Sequence, residues 1–217
     1  MKLGIIIMAK VPEPGKVKTR LEPFLTPEMC AELASCFLRD TIEKAQTLQT
    51  KIIVAFSPAE RRDFFNGFEG LNLVAQTGTD LGQRMFNAFR FAFQSGLDKV
   101  VMIGTDSPTL PPEFIENAFG LLEEFDAVLG PTTDGGFYLI GLSKLDKRIF
   151  EGVEWSSAKT FEQTRRNLET CGFGLSELPV WYDVDEPPDL ENLRTDANLF
   201  RFAPRTAQLL RGVSSKR

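Results

Sequence analysis

Short apolar runs alternate along this chain with longer segments in which apolar residues recur at helical spacing. The runs are typical of strands, and the predicted strands are residues 3–9, 51–56, 71–75, 100–104, 126–130, 137–142 and 175–181. Thr26 is the expected N-cap of the first helix, with Pro27 in its first turn and an apolar face that extends to Leu48. Strands that alternate with helices predict an α/β fold, in which helices cover the faces of a sheet.

The length of the chain limits the number of domains. At 217 residues, 42% of them hydrophobic, the chain is long enough to bury a full core and short enough to be one domain. We therefore expect a single domain over residues 1–217. Residues 199–217 form a basic end with little pattern beyond Leu210, which predicts a frayed C-terminal tail.

Charge and composition exclude several classes of partner and chemistry. The net charge of −5 provides no broad basic field, so we expect a small-molecule partner rather than nucleic acid or a membrane. The longest apolar run, residues 3–9, is too short to cross a bilayer and nothing resembles a signal peptide, which predicts a cytoplasmic protein. The chain has no histidine, so a bound metal must be held by oxygen, which favours Mg²⁺ or Mn²⁺.

The fourth apolar run ends abruptly at a carboxylate. Asp106 directly follows residues 100–104, and ligands of open α/β sheets bind beyond the carboxyl ends of the strands. Asp106 is therefore well placed to hold a metal or a ribose. The alternative is a structural one, because Asp106 and Ser107 both suit the cap of the helix that follows Pro108.

A basic loop follows the first predicted strand. Residues 10–21 contain two prolines and a glycine, and their basic side chains are those of Lys10, Lys16, Lys18 and Arg20. Backbone amides freed by Gly15, together with these four side chains, could neutralise a diphosphate. The segment lacks the Gly-Lys-Ser/Thr ending of a P-loop. A solvated basic loop without a ligand is the alternative.

A second turn carries an aspartate before two glycines. Gly135 and Gly136 allow the backbone to come very close to another group, and Asp134 would present its carboxylate at that point. The polar side chains of Thr132 and Thr133 favour a ligand there. A plain hairpin turn is the alternative, since such turns also use Asp-Gly.

Two further aspartates lie near the end of the chain. Asp183 and Asp185 alternate around Val184, so in extended backbone both point to one side. Two carboxylates on one face repel each other unless a cation joins them, which predicts a metal site. Asp185 could instead cap the helix that begins near Pro187.

These motifs together resemble a known family. In chain order they are residues 9–21, 80–85, 104–108, 134–141 and 183–190. The set resembles the bacterial DUF2064 family, which belongs to the nucleotide-diphospho-sugar transferases of the GT-A fold, and it is similar to the phospholactate guanylyltransferases and the molybdenum-cofactor nucleotidyltransferases. The resemblance implies a three-layer α/β/α sandwich with a mixed, mainly parallel sheet.

The resemblance also implies roles for particular residues. Lys18 and Arg20 match phosphate ligands, and Asp106 matches an acidic residue that contacts the ribose and the metal. Asp183 and Asp185 match a terminal Asp-x-Asp that holds divalent cations in related sugar-nucleotide synthetases. The chain departs from the nucleotidyltransferase signature in the first loop, which carries prolines at positions 12 and 14 instead of a Gly-Gly start.

The leading hypothesis from the sequence is a metal-dependent glycosyltransferase that moves a sugar from a sugar nucleotide to a small acceptor. Asp134 would bind the sugar or acceptor and is the candidate base of an inverting reaction, and Asp106 is the other candidate catalytic residue. One alternative is a guanylyltransferase-like nucleotidyltransferase, which releases pyrophosphate when a phosphorylated acceptor attacks the α-phosphate. The other is a protein that binds sugar nucleotides without turnover.

Overall fold

A single seven-stranded sheet forms the centre of the computed structural model, which describes residues 1–212. The strands are β1 (Leu3–Lys10), β2 (Lys51–Ser57), β3 (Leu71–Ala75), β4 (Lys99–Ile103), β5 (Ala127–Pro131), β6 (Phe137–Leu142) and β7 (Leu175–Glu177). Their order is β3-β2-β1-β4-β6-β5-β7, and β6 runs antiparallel to both of its neighbours. The predicted mixed, mainly parallel sheet is thereby confirmed.

Helices cover both faces of this sheet. They are α1 (Pro27–Gln46), α2 (Leu81–Gln94), α3 (Pro112–Leu121), α4 (Thr160–Thr170), α5 (Pro187–Thr195), α6 (Leu199–Phe202) and α7 (Pro204–Gly212). Short 3₁₀ turns cover Thr19–Leu21, Ala59–Phe65 and Lys147–Phe150. None of the helices within residues 1–212 combines the length and the hydropathy needed to cross a bilayer.

The central strands are buried on both faces, as their sequence predicts. In β1, Ile5 and Ile7 pack into a core shared with α1 and α3, while Ile6 between them packs into a second core shared with α2 and α4. Because side chains alternate along a strand, an uninterrupted apolar run requires apolar neighbours on both sides. Helices on both faces supply those neighbours and form the three predicted layers.

The C-terminal part of the chain is folded, which corrects one prediction. Residues 199–212 form α6 and α7 instead of a frayed tail, and Ala207 and Leu210 are buried against α1. Asp40 of α1 accepts hydrogen bonds from the backbone amides of Arg205 (3.0 Å) and Thr206 (2.9 Å), which fixes the first turn of α7. The rest of the predicted tail, residues 213–217, lies outside the described residues.

The last strand is shorter than predicted. β7 ends at Glu177, whereas the apolar run extends to Trp181. Pro179 interrupts the ladder because it has no backbone N–H to donate. Trp181 still forms an isolated parallel bridge with Thr132, so the chain continues along β5 towards Asp183.

The strand order places a crevice beside β1. The chain passes outward from β1 through β2 to β3, and β4 then pairs with the opposite edge of β1. Loops that follow β1 and β4 therefore diverge at this topological switch point. In open α/β sheets this is where ligands bind.

Candidate functional site

Lys18 lies at the switch point between β1 and β4, where the strand order predicts a crevice. Its ammonium group donates hydrogen bonds to Asp106 Oδ1, to the backbone oxygen of Val184 (2.7 Å) and to Asp185 Oδ1 (2.9 Å). The side chain is only 6% exposed, and Nζ lies 5.4 Å from the centre of the Phe37 ring. Burial lowers the pKa of Lys18, but the charges of Asp106 and Asp185 outweigh it and hold the pKa above its ordinary value.

The backbone directs this side chain inward. Lys18 has a φ of +50° and a ψ of +35°, which is left-handed backbone that residues other than glycine rarely adopt. The 3₁₀ turn that begins at Thr19 follows directly, and Leu21 at its end is fully buried among α1 and the C-terminal helices. The loop is therefore anchored at the residues after Lys18, and this anchor holds the strained conformation in place.

Asp106 and the 183–185 segment are joined by their backbones. The amide of Val184 donates to the backbone oxygen of Asp106 (2.8 Å), and Val184 itself is fully buried. The Ser107 hydroxyl donates to Asp183. Burial raises the pKa of Asp183 to about 7, and the neighbouring charges of Asp106 and Asp185 add to the rise. Three carboxylates predicted to act together thus meet at one place.

A lysine stands among these carboxylates, at the place where the sequence predicts a metal. The Lys18 ammonium group stands between Asp106 and Asp185, and Asp183 is turned towards Ser107. Within residues 1–212 no group of three Asp, Glu, Cys or His side chains is arranged to hold a metal ion. As arranged, the oxygen atoms fit an ammonium ion rather than Mg²⁺ or Mn²⁺, and the metal ligand set of Asp106, Asp183 and Asp185 stays a prediction.

The other predicted cations of the first loop lie on the surface. Lys10 donates to the backbone oxygen of Lys16 (2.6 Å), and Lys16 pairs with Glu13 (2.8 Å). Arg20 is 69% exposed, with its guanidinium 3.6 Å from Glu186. Gly15 has a φ of +72° and makes the turn between Glu13 and Lys16. Lys10, Lys16 and Arg20 therefore present positive charge to solvent, whereas the Lys18 side chain points into the protein.

Asp134 is fixed by its own turn. It accepts hydrogen bonds from the Thr132 hydroxyl (2.5 Å) and the Gly136 amide (3.1 Å). Gly135 has a φ of +87°, and a Cβ added there would lie 2.3 Å from the backbone oxygen of Ala158. The close approach predicted for these glycines is observed at Gly135, where the neighbouring group is the backbone of Ala158. Because β6 starts at Phe137 and runs antiparallel to β4, this turn lies at the same edge of the sheet as Asp106.

A cavity of about 310 Å³ opens beside the start of α2. Gly82 lies against Trp155 there, where a Cβ would come within 2.7 Å of the indole, and Asp80 caps the helix through the Gln83 amide (2.8 Å). Asp80 and Gly82 belong to a motif that the sequence showed without a role. The cavity is lined by Asp80, Gly82, Gln83, Phe86, Lys147, Phe150, Glu151, Gly152, Val153 and Trp155.

Lys44 is a supporting residue that sequence reasoning missed. It is buried in α1 and donates to the backbone oxygen of Pro108 (2.7 Å), which braces the loop that carries Asp106. Burial lowers the pKa of Lys44 to about 8. The signal was present, because position 44 lies within one helical turn of Thr41 and Leu48, which belong to the predicted inward face of this helix.

Known proteins resemble the chain in sequence and in structure. The family described as "Uncharacterized protein conserved in bacteria (DUF2064)" matches residues 40–157. A 2-phospho-L-lactate guanylyltransferase from Methanocaldococcus jannaschii is 27% identical over 202 residues, which cover 91% of this chain and 87% of that protein. A candidate nucleotide-diphospho-sugar transferase from Desulfovibrio desulfuricans G20 is 34% identical, with a TM-score of 0.90 over 98% of this chain and 95% of the other. CMP:2-keto-3-deoxy-manno-octonic acid synthetase in complex with CTP has the same fold, with a TM-score of 0.58 at 12% identity over 98% of this chain and 100% of the other.

Proposed function

The chain belongs to the DUF2064 family, and we propose that it is a nucleotidyltransferase, which moves a nucleoside monophosphate from a nucleoside triphosphate to a small phosphorylated acceptor. The similarity to the 2-phospho-L-lactate guanylyltransferase, which extends over 91% of the chain, is the observation that carries this choice of chemistry. The switch-point crevice, with its basic rim and its acidic floor, supports a nucleotide ligand.

The reaction has simple requirements in this proposal. An oxygen of the acceptor phosphate attacks the α-phosphorus, the bond to the β-phosphate breaks, and pyrophosphate leaves with the negative charge. Fixed positive groups stabilise that charge as it develops. Lys10, Lys16 and Arg20 are exposed at the rim of the crevice and are the groups we assign to the phosphates, together with the backbone at Gly15.

Two aspartates receive the remaining roles. The Asp106 side chain is 47% exposed although one of its oxygens accepts from Lys18, so a carboxylate oxygen is available for a ribose hydroxyl. Asp134 lies at the same edge of the sheet and is assigned to the acceptor. Lys18 holds Asp106 in position and supplies one positive charge beneath the phosphates. No step of this mechanism passes through a metal ion.

Glycosyl transfer is the second candidate. The observation that favours it is the 34% identity to the candidate nucleotide-diphospho-sugar transferase. The same crevice would hold the diphosphate of a sugar nucleotide, and the products distinguish the two reactions.

The test measures those products directly. The protein is incubated with each of the four common nucleoside triphosphates and a panel of phosphorylated hydroxy acids and sugar phosphates, and pyrophosphate is followed with a coupled pyrophosphatase assay. We expect pyrophosphate release that depends on the acceptor. Release of a nucleoside diphosphate from sugar nucleotides, with no pyrophosphate from any triphosphate, would establish glycosyl transfer instead. Nucleotide binding without either product would contradict both reactions.

A pair of variants tests the assignment of Arg20 to the phosphates. Arg20→Gln removes an exposed charge next to the crevice, and it is expected to raise the KM for the triphosphate by about tenfold, the effect of one lost charge-assisted contact. Lys51→Gln is the matched control, because Lys51 is also exposed but lies at the amino end of β2, on the opposite edge of the sheet. Equal KM values for the two variants would remove Arg20 from the phosphate site.

A further inference from the structure

The surroundings of the Lys18 ammonium group are those of a small inorganic cation. Two carboxylate oxygens, from Asp106 and Asp185, and the backbone oxygen of Val184 converge on Nζ. Carboxylate and carbonyl oxygens are also the ligands that hard divalent cations take from proteins. The nitrogen is buried and carries one positive charge, so it satisfies these oxygens electrostatically in the way that a metal ion would.

We propose that the Lys18 ammonium group occupies the position of a divalent cation between Asp106 and Asp185, so that the ligand-free protein binds no metal there while Lys18 is in place. The two cations exclude one another for two reasons. They need the same oxygen atoms, and a second positive charge would lie a few ångströms from the first. This inference concerns the ligand-free protein and does not depend on which transfer reaction the site performs.

Removal of the ammonium group is expected to make the site favourable for a metal ion. Without Lys18, the carboxylates of Asp106, Asp183 and Asp185 remain close together with no internal countercharge, and their mutual repulsion favours any cation that joins them. Lys18→Met keeps a side chain of similar length that still packs against Phe37. The substitution is therefore expected to create a metal site rather than merely to delete a residue.

The experiment measures Mn²⁺ binding to the full chain without nucleotide. Electron paramagnetic resonance of free Mn²⁺ gives the dissociation constant, and thermal melting with and without Mn²⁺ gives an independent readout. We expect Lys18→Met to bind one Mn²⁺ at least ~10-fold more tightly than the wild-type protein, because one full charge next to the ligands is removed. Mn²⁺ is then expected to raise the melting temperature of this variant and not that of the wild type.

Two controls locate the effect. Lys16→Met removes a lysine of the same loop that is exposed and paired with Glu13, and in the absence of nucleotide it should bind Mn²⁺ with the affinity of the wild type. The double variant Lys18→Met, Asp106→Asn should lose the gained affinity. The proposal is overturned if Lys18→Met binds no more tightly than the wild type. It is equally overturned if the wild-type protein already binds Mn²⁺ in a way that Asp106→Asn abolishes, a result that does not require the Lys18 variant to fold.

Discussion

Replacement of Gly135 by alanine tests whether the turn that carries Asp134 is fixed by contact with the rest of the chain. Two costs add at this position. The φ of +87° lies in the region that an L side chain rarely adopts, which costs about 1–2 kcal/mol. The new Cβ would also lie 2.3 Å from the backbone oxygen of Ala158, where α4 is about to begin, and relief of such overpacking costs about 1–3 kcal/mol more.

Gly152 provides the matched control for this prediction. Its φ is +70°, but a Cβ added there meets no atom within 4 Å, so Gly152→Ala carries the backbone cost alone. Urea unfolding followed by fluorescence of the two tryptophans gives the free energy of unfolding of both variants. We expect Gly135→Ala to lose about 1–3 kcal/mol more than Gly152→Ala.

The outcome of this comparison also bears on function. Because the turn must move away from Ala158 to accept the methyl group, Asp134 moves with it, and the KM of the acceptor should rise in Gly135→Ala alone. Equal losses of stability in the two variants would show that the turn is not held against Ala158. The account of why this position requires glycine would then be wrong.

Two further predictions concern buried charges. Burial lowers the pKa of Lys44 from its ordinary value of 10.5 to about 8 in the folded chain. Between these pH values the unfolded state binds more protons than the folded state, so the free energy of unfolding should rise by about 3 kcal/mol as the pH increases across this range. Urea titrations at several pH values should show this rise in the wild type and not in Lys44→Met, and parallel profiles would contradict it. Asp40→Ala removes the oxygens that hold the Thr206 amide and hydroxyl, and it should cost about 2–3 kcal/mol of unfolding free energy. Glu43→Ala, which breaks only the exposed pair with Arg205, should cost less than about 1 kcal/mol in the same assay.

The elements near the middle of the sheet could be predicted from local sequence. A strand buried on both faces, such as β1 or β4, needs an uninterrupted apolar run, and this pattern does not depend on which helices cover it. Asp106 could be placed at the crevice for the same reason, because the run before it ends abruptly. The use of glycine at position 135 was also visible, since the two glycines predicted a close approach of the backbone, and Gly135 lies against Ala158.

The direction of Lys18 could not be predicted in this way. Its inward position depends on left-handed backbone at one residue and on oxygens that lie 88 and 167 positions further along the chain. The local sequence shows neither the backbone conformation nor these distant partners. The four basic residues of the loop therefore appear equivalent in the sequence. Helices α6 and α7 escaped prediction for a related reason, because α6 has only four residues and the first turn of α7 is fixed by Asp40, which lies 165 positions earlier in the chain.

The contact between Lys18 and Asp185 also sets the order in which the protein can become functional during its synthesis. The lysine is made first, and its second carboxylate partner is added 167 residues later, which takes roughly 10–30 s at ordinary rates of translation. Once residue 103 has been made, the strands β1 to β4 can pair, but the segment that carries Asp185 is still missing. A nascent chain that stops before residue 185 therefore lacks part of the proposed nucleotide site, and this site can close only after that residue has been made.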